Sequence, residues 1–556
     1  MKRKLLLIIV LIVSAMQTQA QDMKNHNFEV AKNLDVFNYI YKYLDLMYVD
    51  TLNSQEVIGT GIKAMLDNLD PYTEYYPESE VKNLETMLTG SYAGIGAVIK
   101  YHRTLKRVVI DEPYEGMPAA LAGLKKGDII ESIDDTSMVN KNTTEVSSKL
   151  RGEPGTSFLL KIKRPSTGKL MQFKIIRRNV KVPSVPYYGL QPDSVGYISL
   201  TQFTEDCSKD VRRAVIDLKN KGAKGIMLDL RSNGGGSLDE AVKIVNMFVP
   251  KGLSIVQTRG KLKRANRDYK TDVEPIDTVM PLAVMVNGET ASASEITSGS
   301  LQDLDRAVII GSRTYGKGLV QVPVDLPYNG NLKLTTAKYY IPSGRCIQAI
   351  NYKHNAKGGY AQHIPDSLTH VFYTRDGRQV RDGGGIKPDV EVPTDTMPNI
   401  VYYLVVGGND SIEVMFDYVV DYCAKHPTIA APSKFELSDA DYADFKERVL
   451  KSGFKYDQQT DDQLKKLKEL AKFEGYYDDA KDEFKALEAK LKHDVAKDLE
   501  RNKKDIKRMI EDDILSCYYY QRGSVEGGLR SNKVVQETSR ILKNTAEYHK
   551  LLSPKK

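Results

Sequence analysis

The sequence predicts a multidomain α/β protein, with an α/β core, a smaller strand-rich domain before it, and helical regions at both ends. Between residues 186 and 323, short apolar segments alternate with helix-length segments, which is typical of parallel strands joined by crossover helices. Residues 91–180 are rich in glycine and in alternating apolar positions, which indicates a separate domain of antiparallel strands. The chain has 556 residues. At roughly 100–200 residues per domain, this is too long for a single domain.

The N-terminus predicts a signal peptide over residues 1–20. Lys2, Arg3 and Lys4 form a positive segment, an apolar run follows to Met16, and Ala20 is a small residue at the expected cleavage point. The run is shorter than the roughly 20 apolar residues that a membrane-spanning helix needs. We therefore expect an exported protein (periplasmic, cell-envelope associated or secreted) with no membrane span after cleavage. An uncleaved N-terminal anchor is the alternative.

After the signal peptide, the pattern changes three times along the chain. Residues 21–90 show helical spacing of apolar residues, which the turn-forming pair Asp70-Pro71 interrupts. Residues from 399 onward are rich in Lys, Glu, Ala and Leu, which indicates exposed helices. The predicted division is a helical region over 21–90, a strand-rich domain over 91–180, an α/β core over 181–398 and a helical region over 399–556.

Four strands and three helices define the predicted α/β core. The strands are expected at Val195–Leu200, Gly225–Leu230, Leu282–Val286 and Ala307–Ile310. The helices are expected at Lys209–Lys219, Leu238–Val249 and Ser292–Leu304.

Composition excludes several classes of function. Net charge is +7, and 28% of residues are charged with both signs interspersed, so no basic surface for nucleic acid is predicted. No HExxH motif and no Gly-x-Gly-x-x-Gly fingerprint occurs, so neither a metal ion nor a cofactor is expected. The four cysteines are widely separated and form no CxxC pair; two disulfides are conceivable in an oxidising compartment, but unpaired thiols are the default expectation.

Ser292 is the candidate nucleophile of the core. It lies between a predicted strand and a predicted helix, where its hydroxyl would face a cleft beside helix-terminal amides. The structural alternative is a capping box, in which Ser292 and Glu295 satisfy the amides that begin the helix.

Lys317 is the candidate base for this serine. No histidine occurs between His102 and His354, so a Ser-His-Asp triad would need a histidine from a flanking domain. A buried lysine can act as a neutral base instead. The segment Gly311–Lys317 also matches the start of a phosphate-binding loop, but Gly318 replaces the Ser or Thr that would hold magnesium and a strand-like segment follows.

The glycines Gly234, Gly235 and Gly236 lie between a predicted strand and a predicted helix. Read alone, they indicate a tight strand-to-helix turn. Their exposed amides could also form half of an oxyanion hole.

Several ordered motifs, taken together, resemble one enzyme family, the C-terminal processing peptidases or tail-specific proteases. The resemblance covers about residues 30–395. It rests on Leu69-Asp-Pro-Tyr-Thr, Gly94-Ile-Gly-Ala97, the segments 118–128 and 150–155, Leu228 to Gly236, Ala291-Ser-Ala-Ser-Glu-Ile296, Gln302-Asp303, Gly316-Lys-Gly-Leu-Val-Gln321, Thr335 to Gly344 and Gly385 to Asp389.

The resemblance implies a crotonase/ClpP-like α/β serine peptidase core with a PDZ-like domain. It implies that Ser292 is the nucleophile, that Lys317 is the base, and that Gln321 orients Lys317. It assigns a supporting role to Asp303. For the oxyanion hole it implies the amide of Ala293 and one amide from Gly235 or Gly236.

The resemblance also implies a substrate class and leaves two segments unexplained. The PDZ-like loop of Gly94, Ile95, Gly96 and Ala97 is expected to bind the terminal carboxylate of an unstructured polypeptide tail. A catalytically silent PDZ scaffold that binds tails without cleaving them is the alternative. The stretch 349–384 looks like an insertion, and the C-terminal helices could serve as a cap, a dimerisation element or an adaptor surface.

Overall fold

The computed structural model describes residues 2–349, 352, 364–393, 397–407, 413–456, 459–491 and 494–554, without the side chains of residues 2–24 and Asp366. Within the predicted insertion 349–384, residues 350–351 and 353–363 lie outside the described residues. Among the described helices, none combines the length and the apolar character needed to cross a membrane.

The N-terminal region is helical, as its apolar spacing predicts. Asn53 begins its second helix by accepting hydrogen bonds from the amides of Gln55 and Glu56, which would otherwise lack partners. A short strand then carries the chain toward the core. The elements are α1 (Lys2–Met47), α2 (Ser54–Asp67), β1 (Glu74–Tyr76) and α3 (Glu78–Thr89).

The strand-rich domain is an antiparallel sheet with the order β3-β4-β5-β7-β8, while β2 pairs separately with β9. Its alternating apolar residues point inward, and Val108, Ile110, Ile130 and Leu160 are fully buried. The elements are β2 (Ser91–Gly94), β3 (Ala97–His102), β4 (Arg107–Pro113), α4 (Pro118–Leu121), β5 (Ile129–Ile133), β6 (Thr136–Ser137), α5 (Thr143–Leu150), β7 (Ser157–Lys163), β8 (Leu170–Ile176) and β9 (Arg178–Lys181).

The α/β core contains a sheet with the order β10-β11-β12-β15-β16-β21, in which all neighbours after β11 are parallel. A second sheet, β1-β18-β13-β14 with β17 on β18, stands beside it. The elements are β10 (Tyr188–Leu190), β11 (Val195–Ser199), α6 (Cys207–Asn220), β12 (Gly225–Asp229), α7 (Leu238–Asn246), β13 (Ser254–Gly260), β14 (Arg267–Lys270), β15 (Leu282–Val286), α8 (Ala293–Asp303), β16 (Val308–Gly311), β17 (Leu319–Asp325), β18 (Asn331–Tyr340), β19 (Val371–Tyr373), β20 (Gln379–Arg381) and β21 (Val390–Glu391).

The C-terminal helices do not form one unit. Helices α9, α10, α11, α14 and α15 share an apolar core of their own. The last two helices instead pack on the core sheet, where their apolar residues meet Met227, Met285 and Ile310. The elements are α9 (Asn399–Val406), α10 (Val414–Lys425), α11 (Asp439–Lys451), α12 (Gln459–Phe473), α13 (Lys481–Leu491), α14 (Val495–Arg501), α15 (Lys503–Gly528), α16 (Lys533–Lys543) and α17 (Thr545–Leu551).

The strand-rich domain also contacts the C-terminal helices through charged residues. The Lys126 amine lies 2.6 Å from a carboxylate oxygen of Asp111 and 3.3 Å from one of Asp513 on α15. The buried His102 ring lies 3.0 Å from Asp417 on α10. These contacts hold the two regions against each other.

Candidate active site

A cleft of about 890 Å³ opens where the carboxyl ends of β12 and β15 meet the N-termini of α7 and α8. Most of the predicted site residues line it, and no histidine is among the described residues that do so. The lining includes Ser292, Ala293, Gly235, Gly236, Lys317 and Gln321.

Ser292 has an unusual backbone conformation, with φ 57° and ψ −117°. A residue with a side chain rarely adopts a positive φ, and such strain is concentrated at functional sites. The backbone amide of Ser292 donates to Glu295 at 2.9 Å, but the Ser292 hydroxyl makes no cap hydrogen bond. The Glu295 amide donates to the backbone oxygen of Ser292 at 2.8 Å, and Ser292 lines the cleft.

Lys317 lies half-buried in the same cleft, just before β17. Burial, with a smaller contribution from the positive charge of Lys333, lowers the pKa of its amine to about 8. The amine lies 4.1 Å from the centroid of the Tyr72 ring. Among the described residues, no hydrogen bond joins it to Ser292 or Gln321.

Gln321 lines the cleft but contacts a different partner from the one predicted. Its side-chain amide nitrogen donates to the hydroxyl oxygen of Thr335 at 3.1 Å, across the β17–β18 pair. Gln321 is only four residues from Lys317 in the sequence. In this conformation its side chain does not orient the Lys317 amine.

Of the three amides predicted for the oxyanion hole, two remain as candidate donors. The Gly235 amide donates to the Asn233 side-chain oxygen at 2.9 Å, so it is already occupied. Gly236 and Ala293 line the same cleft as Ser292, and within the described part of the chain neither amide donates to another group. Of the two glycines, Gly236 is the better candidate donor.

Asp303 does not line the cleft. It lies at the opposite end of α8 from Ser292, about 16 Å away along the helix axis. Its buried carboxylate binds Arg345 at 2.7 Å and accepts from the Ser343 amide at 3.0 Å. These two bonds attach Asp303 to the loop after β18.

The predicted tail-binding loop joins β2 to β3, with Gly96 at φ +70° against the Met117 side chain. Ile95 is buried and Ala97 begins β3. The Tyr92 ring folds back over Gly94. Burial raises the pKa of Tyr92, and the positive charge of Arg151, followed by the backbone amides of Ala97 and Gly96, opposes this rise. The two loop amides thus favour a negatively charged oxygen at this place.

Glu295 links Ser292 to the segment that carries Lys317. From the sequence alone, Glu295 was predicted only to cap a helix. One carboxylate oxygen accepts from the amides of Ser292 and Lys317, at 2.9 and 2.8 Å. The other accepts from the Thr314 hydroxyl and the Gly316 amide, at 2.6 and 2.7 Å. Burial raises the pKa of Glu295 to about 7, and these four donors oppose that rise.

Tyr339 provides a second link that sequence reasoning missed. Its buried hydroxyl lies within hydrogen-bonding reach of the backbone oxygens of Ser292 and Lys317. Tyr339 lies in the segment Thr335 to Gly344 that the resemblance already included, but only its position in the fold shows what it contacts.

Three family descriptions match successive parts of the chain: a PDZ domain at residues 109–164, peptidase family S41 at 194–357, and the C-terminal helical domain of a probable PDZ-protease at 408–542. The carboxy-terminal-processing protease of Bartonella bacilliformis is 36% identical over 346 residues, which cover 61% of this chain and 79% of that protein. The chain belongs to peptidase family S41, with the carboxy-terminal-processing proteases. This membership confirms the predicted serine-type peptidase activity and the predicted α/β fold class with a PDZ domain.

The chain is also similar to a second curated protein and to a solved structure. A probable CtpA-like serine protease of Staphylococcus epidermidis is 31% identical over 408 residues, covering 70% of this chain and 81% of that protein. Among solved structures, the photosystem II D1 C-terminal processing protease is 28% identical, with 65% of this chain and 88% of that chain covered at a TM-score of 0.36.

Proposed function

We propose that this S41 peptidase is an exported endopeptidase that binds the C-terminal tail of a polypeptide through its PDZ domain and cleaves with a Ser292–Lys317 dyad. One observation carries the proposal: a strained serine and a lysine whose pKa is lowered to about 8 line one cleft with two unoccupied amides. The proposed nucleophile, base and oxyanion site need no histidine, and none is among the described residues that line the cleft.

The proposed reaction needs Lys317 as a neutral amine. The lysine side chain turns toward Ser292, takes its hydroxyl proton, and the hydroxyl oxygen attacks the scissile carbonyl. The amides of Ala293 and Gly236 stabilise the oxyanion. Lys317 then protonates the leaving amine, and water hydrolyses the acyl-enzyme. Gln321, close to Lys317 on β17, can accept a hydrogen bond from the lysine during this movement.

Substrate capture is proposed at the loop Gly94–Ala97. An extended tail adds to a strand edge, and loop amides bind its carboxylate. The amides of Gly96 and Ala97 lower the pKa of the Tyr92 hydroxyl, which supports their ability to stabilise a negatively charged oxygen. A bound carboxylate would replace that hydroxyl.

Export and assembly are also proposals. The positive and apolar start of the chain supports a signal peptide over residues 1–20 and a periplasmic, cell-envelope or secreted location. Exposed apolar residues on α1 support a partner there, either an adaptor or a second copy of the chain; they include Phe28, Leu34, Phe37, Ile40 and Tyr43. The division at residues 20, 90, 180 and 398 remains our proposal for the domain boundaries, with α16 and α17 reassigned to the core.

The test is cleavage of an unfolded reporter that ends in an apolar tail, with product masses recorded for wild type and Ser292→Ala. We expect internal cleavage by wild type and none by the variant. The same reporter with an amidated C-terminus should be cleaved more slowly, since its carboxylate is lost. Tail binding without cleavage by wild type would favour the catalytically silent scaffold, and full activity in Ser292→Ala would exclude the assigned nucleophile.

A further inference from the structure

A tight turn at residues 70–73 reaches from the N-terminal region into the active-site cleft. The buried Asp70 carboxylate accepts from the amides of Tyr72 and Thr73, at 2.8 and 2.9 Å. It also accepts from the Thr73 hydroxyl at 3.0 Å. These three bonds fix the turn, and with it the direction of the Tyr72 side chain.

Tyr72 presents the face of its ring to the Lys317 amine, 4.1 Å from the ring centroid. The far end of the ring is held by two other tyrosines. The Tyr72 hydroxyl lies 2.9 Å from that of Tyr352 and 3.3 Å from that of Tyr315. The Tyr72 and Tyr352 rings are nearly perpendicular, at 87°. The ring is therefore fixed at both ends.

The face of an aromatic ring attracts a cation and has little attraction for a neutral amine. The contact with Tyr72 thus favours the protonated form of Lys317. The other charges facing this amine come from several elements: Lys333 on β18 repels it, and Glu295, Asp70 and Glu74 attract it. None of these four makes a hydrogen bond or an ion pair with it within the described residues, so the ring is its direct partner.

The same turn also restrains Gln321. The Thr73 and Thr335 hydroxyl oxygens lie 3.2 Å apart, and Gln321 donates to the Thr335 oxygen at 3.1 Å. The turn at residues 70–73 therefore contacts Lys317 directly, through Tyr72, and Gln321 indirectly, through Thr335.

We propose that Tyr72 is a positioning residue that holds the protonated Lys317 away from Ser292 and releases the neutral amine to it. This role rests on the proposed function of Lys317 as the base. The ring and Ser292 compete for one amine. Loss of the proton weakens only the attraction to the ring, so deprotonation itself moves Lys317 toward the nucleophile.

The test measures how fast phenylmethanesulfonyl fluoride labels Ser292 as a function of pH, by intact mass and peptide mapping. Four proteins are compared: wild type, Tyr72→Phe, Tyr72→Leu and the control Tyr75→Leu. Phenylalanine keeps the ring, whereas leucine keeps much of the volume that shields the amine from water. Tyr75 lies on the adjoining strand β1 against Gly330.

We expect the pH midpoint of labelling in Tyr72→Leu to fall by about one unit, because the cation loses its aromatic partner. Labelling at neutral pH should then rise several-fold. Tyr72→Phe and Tyr75→Leu should keep the wild-type midpoint. A midpoint that is unchanged or raised in Tyr72→Leu, or that falls equally in Tyr72→Phe, would overturn the role.

Two further results keep the outcome decisive. Thermal unfolding verifies that each variant is folded, and Tyr72→Met replaces Tyr72→Leu if the latter is not, with the same expected midpoint. If Ser292 is unlabelled in every protein, wild type included, the proposed nucleophile is wrong and the role of Tyr72 fails with it. A labelled wild type with no shift in Tyr72→Leu rejects the role of Tyr72 alone.

Discussion

At the residue scale, the proposed mechanism depends on the surroundings of one amine, that of Lys317. Lys317 has a lowered pKa because it is withdrawn from water. It lines the same cleft as Ser292. None of the described residues that line this cleft is a histidine. A lysine in this state can act as a base near neutral pH, where a free lysine cannot.

The first prediction concerns pH. Because only the neutral amine accepts a proton, peptidase activity should rise with pH and level off above the Lys317 pKa of about 8. Below that value, the neutral fraction falls about tenfold per pH unit. The measurement is kcat/KM for a peptide substrate that does not titrate in this range. A rate independent of pH down to mildly acidic conditions would contradict a lysine base.

The second prediction concerns Glu295. Glu295→Gln places a donor against amides that already donate, so we expect a loss of about 3 kcal/mol in unfolding free energy and a large loss of activity. Chemical denaturation and peptide hydrolysis measure the two effects. Glu289→Gln, at an exposed position in the loop before α8, is the control and should change neither.

At the element scale, the site depends on turns where two strand ends meet. The turn after β12 lies against the start of α8: a Cβ at Gly235 would stand 2.7 Å from the Ala291 oxygen and 2.8 Å from the Ser292 Cβ. The backbone there also has φ +100°. Glycine is required at this position both for space and for conformation.

The third prediction tests this turn with neighbouring glycines. Gly235→Ala should reduce kcat at least tenfold, because a displacement of Ser292 misaligns it with the oxyanion donors. Gly234→Ala should be nearly neutral, since a Cβ at that position meets nothing within 4 Å. Equal activities of the two variants would show that the close packing of Gly235 on Ser292 has no part in catalysis.

Local motifs explain which elements could be predicted from the sequence. The strand at Leu282–Val286 has the predicted bounds, because its continuous apolar run is bounded by turn residues. Ser292, Lys317 and the glycine turn could be proposed as site residues from the sequence, because each lies in a short, distinctive segment. Tyr72 and Tyr339 could not, because the contacts that place them at the site join residues far apart in sequence.

At the scale of the whole molecule, the last two helices of the chain pack on the sheet of the α/β core. The sequence predicted one C-terminal helical region, but amphipathic spacing does not indicate what a helix packs against. The Tyr548 hydroxyl on α17 accepts from the Leu282 amide at 3.0 Å, at the start of a central strand. Helices α16 and α17 therefore cover one face of the core sheet.

The fourth prediction follows from this covering. Truncation after residue 532 should give an insoluble or unfolded protein. The lost burial includes Val534, Val535, Ile541 and Leu542, each contributing about 1.5–3 kcal/mol. Solubility and circular dichroism measure the result. The control removes residues 459–491, the largely exposed helices α12 and α13, with a short linker, and should remain folded.

The central claim is that a serine and a lysine carry out this peptidase reaction. The most direct measurement compares hydrolysis of an unfolded polypeptide by wild type, Lys317→Ala and Lys338→Ala, where Lys338 is an exposed lysine on β18. We predict a loss of about 10²–10⁴-fold in Lys317→Ala, the usual contribution of a general base, and none in Lys338→Ala. A Lys317→Ala variant that is folded and retains wild-type activity would contradict the account.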